Sequence, residues 1–101
     1  MSTTPKNINV TVPTGMHRLT VADDAVTNAP VLHNSCQAVF LDIQGGDVYV
    51  SFDGTAPASD HGHILYDRKD YIFYAGLLST AKFKSTSGDV VVQMTELNGY
   101  V

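Results

Sequence analysis

The stretch Ala38-Val39-Phe40-Leu41-Asp42-Ile43-Gln44-Gly45-Gly46-Asp47-Val48-Tyr49-Val50-Ser51-Phe52-Asp53 has the most regular pattern in the chain. Val39, Leu41 and Ile43 alternate with Phe40, Asp42 and Gln44, and Val48, Val50 and Phe52 alternate with Tyr49 and Ser51. A period of two is that of a β-strand with one covered face. Between the two runs lies Gly45-Gly46, and glycine tolerates the positive φ that a primed two-residue hairpin turn demands. Closing a hairpin there pairs Ile43 with Val48, Leu41 with Val50 and Val39 with Phe52, all six on one face. The other face receives Gln44, Asp47, Asp42, Tyr49, Phe40 and Ser51. A slip of one residue would mix the two sets, so the register is well specified. The expectation is a β-hairpin over residues 38–53.

Composition extends that reading to the whole chain. Nine Asp stand against one Glu, Glu96, and twelve Val, ten Thr and nine Phe or Tyr favour strands over helices. The one helical candidate, Ala75-Gly76-Leu77-Leu78-Ser79-Thr80, is long enough for a single turn. Further strands are expected at Ile8–Val12 and Arg18–Val21, separated by Pro13 and Gly15, and at Ile64–Tyr66 and Tyr71–Tyr74 around Asp67-Arg68-Lys69-Asp70. A second hairpin is expected from Ala81–Lys84 and Val90–Thr95, closed through residues 85–89. The fold class is therefore all-β, with about eight short antiparallel strands in a jelly-roll or Greek-key β-sandwich. Residues 22–37 fit no strand pattern and read as a long connection. Residues 1–7 read as a flexible N-terminal arm, and residues 8–101 as one domain, since 101 residues hold a single core.

The bulk properties narrow the function. A net charge of −4 gives no basic face for nucleic acid. No run of about 18 apolar residues suggests a membrane span, and Met1–Asn7 lacks the apolar stretch of a secretory signal. Cys36 is the single cysteine, so no internal disulfide and no zinc-finger cysteine set is expected.

Few residues invite a chemical reading. Cys36 follows His33, but no nucleophile elbow surrounds it, and a small buried hydrophobe is the plainer reading. Tyr49, Tyr66, Tyr71 and Tyr74 are candidates for stacking on a sugar or a base, against packing within the sheets. Asp60-His61-Gly62-His63 places two imidazoles on one face of a strand, with Asp67 four residues on, and two imidazoles with a carboxylate suit a transition metal. With Gly54 ahead, this spacing resembles the first motif of the cupins, metal-binding jelly rolls. It departs from that motif in its longer spacer and in Asp67 standing for Glu. No His follows His63, so the second cupin motif has no counterpart. His61, His63 and Asp67 are the candidate ligands of this alternative. The expectation remains no metal, no cofactor and no catalytic residue.

A second resemblance covers roughly residues 38–95. Val48-Tyr49-Val50-Ser51-Phe52-Asp53-Gly54-Thr55-Ala56-Pro57, followed by Gly62 and Leu65, is similar to a pattern in small virion structural proteins of tailed bacteriophages. Gly45, Gly46, Asp53, Gly54, Thr55 and Pro57 form its turn motif. The resemblance implies a β-sandwich protein of the virion, made in the bacterial host cytoplasm and not an enzyme. It implies a capsid decoration or cement protein that binds the major capsid protein, or else a neck or tail component bound to other virion proteins. A homo-oligomer fits that role. The candidate contact surface comprises residues 1–7, the loops at 22–34 and 54–63, and the outer faces of the edge strands. The alternatives from other classes are the cupin-like metalloprotein and a carbohydrate-binding module.

Overall fold

The computed structural model describes residues 12–98, so the arm at 1–7, residues 8–11 of the first expected strand and residues 99–101 lie outside the described residues. The described chain is built from β1 (Val12–Val21), β2 (Thr27–Asn28), β3 (Ala38–Gln44), β4 (Val48–Ser51), β5 (His63–Leu65), β6 (Asp70–Tyr74), a single helical turn α1 (Ala75–Leu78), β7 (Lys82–Ser85) and β8 (Val90–Asn98).

The strands form two four-stranded antiparallel sheets, ordered β1-β8-β3-β6 and β2-β7-β4-β5. Every connection crosses from one sheet to the other except that between β4 and β5. The neighbouring pairs β1/β8, β2/β7, β3/β6 and β4/β5 are those of one long hairpin rolled on itself, with its tip between β4 and β5. That winding is a jelly roll.

The inward faces are the ones the alternation predicts. Val39, Leu41, Ile43, Val48 and Val50 are fully buried, with Val90, Val92 and Met94 of β8 and Phe83 of β7. The pairing is not. β3 bonds to β6 and β8, whereas β4 bonds to β5 and β7, so the expected hairpin at residues 38–53 does not form. Gly45 and Gly46, at φ 103° and 152°, instead carry the chain around a corner between the sheets. The backbone of Ile43 pairs with the β5–β6 connection: its N–H donates to the Lys69 carbonyl at 3.1 Å, and its carbonyl accepts the Arg68 N–H at 2.8 Å. The two apolar rows face each other across the core. Side-chain alternation is the same whether two rows meet within one sheet or across two, which is why the pattern does not distinguish these arrangements.

Three other differences have local causes. The second expected hairpin is also a crossover, because β7 and β8 belong to different sheets. The expected break at Pro13 and Gly15 is a bulge within one strand, β1, where the register against β8 shifts. Within residues 22–37, Thr27 and Asn28 form a two-residue strand against Phe83 and Lys82 of β7. The helical turn at Ala75–Leu78 is as short as the sequence suggests, and it buries Leu78.

Phe83 is the largest fully buried side chain, lying between the two sheets. Phe83→Ala is expected to lower unfolding free energy by about 3–5 kcal/mol, read as a shifted midpoint with an unchanged slope in urea unfolding.

Candidate functional site

The tip of the rolled hairpin, residues 52–62, is fastened by its own polar groups. The Asp53 carboxylate accepts the Thr55 N–H at 3.0 Å and pairs with His61 Nε2 at 3.0 Å. Ser51 Oγ donates to the Thr55 carbonyl, and Ala58 and His61 close a tight turn through reciprocal backbone bonds of 3.0 and 3.1 Å. Pro57 is buried under the loop. Gly62 has φ 109°, and a Cβ there would lie 2.3 Å from the Val50 carbonyl oxygen, so no other residue fits without moving β4. Phe52 anchors the loop base, packed edge-on against Phe73 at 5.6 Å and tilted against His63 at 6.1 Å.

This geometry separates the three candidate metal ligands. His61 turns to Asp53, while His63 sits on β5 beside Phe52. Asp67 lies beyond the other end of β5, where its carboxylate accepts the Gly45 N–H at 2.9 Å. Among the described residues no three His, Cys, Asp or Glu side chains gather into a possible metal site. The tyrosines are dispersed as well. Tyr49 is half-buried on the outer face of its sheet, between Ile64 and Lys84. Tyr71 stacks on Phe73 at 6.1 Å, and its hydroxyl accepts the Tyr66 N–H at 2.8 Å. Tyr74 is exposed on the opposite sheet.

The structure adds a cluster that the sequence reading missed. Glu96 occupies the inward phase of β8 after Val90, Val92 and Met94, and is only 3% exposed. Its Oε2 meets His17 Nε2, and its Oε1 accepts the His33 N–H at 2.8 Å. The chain approaches closely at Gly15, where a Cβ would lie 3.3 Å from Oε2. Glu96 thus ties β1, β8 and the β2–β3 connection together. Cys36 lies beside it, and burial, with the Glu96 charge adding, pushes its thiol pKa up. The thiol donates to the Ala38 carbonyl at 3.2 Å. His33 Nδ1 is engaged by the Ser35 N–H at 3.0 Å and hydroxyl at 2.7 Å. A protonated thiol and an imidazole occupied elsewhere do not make a nucleophile and its base. The signal for Glu96 was available: the single Glu of the chain stands in phase with a run of inward valines.

The chain matches no protein-family model, no curated protein and no solved structure.

A shallow apolar groove lies at one end of the sandwich. The β2–β3 connection, the β4–β5 tip and the α1–β7 segment meet there, joined by Ala29 N–H to the Ala81 carbonyl at 3.1 Å and Thr80 Oγ1 to the Phe52 carbonyl at 2.7 Å. Ala29, Pro30, Val31, Leu32, Ala75 and Gly76 line the groove. Val31 is 93% exposed. Of the expected contact loops, residues 29–34 and 54–62 share this end. Residues 22–26 lie at the other, where Asp23 accepts the Gly88 N–H at 2.9 Å.

Two outcomes follow. Asp53 is held below its ordinary value of 3.8, first by the Thr55 N–H and then by His61. A depressed carboxylate supports the loop above its unfolded pKa and loses that support as pH falls through the folded value. The Thr55 amide resonance is therefore expected to titrate below pH 3.8, and Asp53→Asn to abolish that titration. Glu96→Leu leaves the His33 N–H without its acceptor and is expected to cost about 1–3 kcal/mol in urea unfolding.

Proposed function

We propose that this protein is a structural component of a tailed-bacteriophage virion, and that its role is to decorate and cement the capsid by binding the major capsid protein. The observation that carries this reading is the apolar end left open among the described residues: Val31 stands 93% exposed on a groove formed by the β2–β3 connection and the helical turn α1. Loops held on a rigid sandwich suit recognition, and Val31, continuous with Ala29, Pro30 and Leu32 along the groove, forms part of an apolar patch that suits burial against a partner. The turn at Asp53–Pro57, which carries the resemblance to small virion proteins, forms part of the same end. The jelly roll is an architecture that virion proteins share with lectins and cupins, so it supports the reading only as fold-level analogy. On a lattice of identical sites, weak contacts of this size accumulate through multivalency.

The cupin-like alternative loses its motivation, because Asp67 is turned to Gly45 and away from the histidines. A sugar platform has no shared face on which the four tyrosines could act. A neck or tail position is the remaining structural alternative and differs in where the protein sits.

Fractionation of purified virions tests the proposal. The protein is expected in many copies per particle, on the shell, and to rebind stripped mature shells but not isolated capsid subunits. Val31→Asp is expected to weaken shell binding about tenfold or more with unchanged thermal unfolding. Recovery only with tails would favour the neck or tail role, and absence from virions would reject both.

A further inference from the structure

The outer face of the β1-β8-β3-β6 sheet carries an ordered pattern of its own. The register places Met16, Thr95, Phe40 and Ile72 side by side, one from each strand. Three of the four are apolar and open to solvent: Met16 is 72% exposed, Phe40 39% and Ile72 57%. The next outward row along the strands is Arg18, Gln93, Asp42 and Asp70. It is positive on edge strand β1 and negative on β3 and edge strand β6. Among the described residues the ion pairs are His17–Glu96 and His61–Asp53, and Arg18 and Asp70 take part in neither.

We infer that this face is a two-fold interface with a second copy of the same chain. Let the axis run parallel to the strands, between β8 and β3. The sheet then stacks on its own copy with β1 over β6 and β8 over β3. Each row meets itself reversed. Met16 packs on Ile72 of the second copy, and Phe40 packs on the second copy's Thr95. In the charged row, Arg18 comes to Asp70 of the second copy, twice by symmetry, and Gln93 comes to Asp42. A two-fold axis across the strands at the apolar row would keep that row on itself but put β6 over β6. The charged row would then move off Arg18, and the acids would find no cation. Charge complementarity therefore selects the parallel axis, and a self-complementary patch is what an isologous dimer requires. Four strands about 4.8 Å apart and about seven residues long give a face of about 450 Å². A pair buries roughly twice that, below the about 1,200 Å² at which stable specific interfaces begin and in the range of weak, transient ones, so the dimer is a weak one.

This inference goes beyond the proposed virion role and uses a different surface from the Val31 end. The two can fail separately. Sedimentation velocity of the full chain, from micromolar to millimolar, is expected to show a reversible dimer. Arg18→Asp sets like charges opposite each other and is expected to weaken it about tenfold or more. Arg18→Asp with Asp70→Arg is expected to restore it to within about threefold. A wild type that stays monomeric overturns the inference, as does a dimer indifferent to Arg18→Asp or not rescued by the exchange. As a check free of variants, concentration-dependent amide shifts of the wild type are expected at Phe40, Ile72 and Met16. Shifts confined to the Val31 end would reject this face. Val31→Asp should leave the dimer intact whatever it does to shell binding.

Discussion

Everything in this fold follows from the corner at Gly45-Gly46. Ile43, the last inward residue of β3, is buried, and five residues on Val48 is buried again, in the opposite sheet. Had the chain doubled back within one sheet, its apolar rows would have lain side by side with nothing to cover them. By crossing, each row becomes the cover of the other, and a chain with one small core can bury both. The corner's polar groups are met by Asp47 and Asp67, whose carboxylates accept the Asp67 and Gly45 N–H groups at 2.9 Å. That explains why the turn is rich in aspartate.

The sequence made legible what depends on side-chain alternation and left unread what depends on backbone partners. Val39, Leu41, Ile43, Val48 and Val50 were identifiable as inward because a period of two says which way a residue faces. It does not say which strand lies alongside. Gly45-Gly46 suits a primed hairpin and an inter-sheet corner alike, and only the competition of β6 and β8 for the edges of β3 decides between them. The two-residue strand Thr27–Asn28 is too short to carry any period. Pro13 and Gly15 read as a break because a bulge and a strand end share the same residues.

The same division holds at the end that carries the β4–β5 tip. Asp53, Gly54, Thr55 and Pro57 were recognisable because turn chemistry is local. The pairing of Asp53 with His61 required a loop to close, and the removal of Asp67 from both histidines required the β5–β6 crossover. Spacing along the chain therefore suggested a ligand set that the winding pulls apart. Glu96 is the converse case. Its phase in β8 was visible, but its partners come from β1 and from the β2–β3 connection, far away in sequence.

The rolled hairpin also sets how much chain each pairing spans. Val48 meets Leu65 across a modest stretch of chain, whereas Val12 meets Asn98 across nearly all of it. Closed directly from the unfolded chain, β1/β8 is the costliest pair in loop entropy, and each inner pair already formed shortens the span that it must close. The open ends of that outermost pair lie at the same end of the sandwich as Val31. On the proposed role, a partner bound there would clasp the seam that spans the most chain, so that fastening the protein to its neighbour and holding the roll shut would become one event.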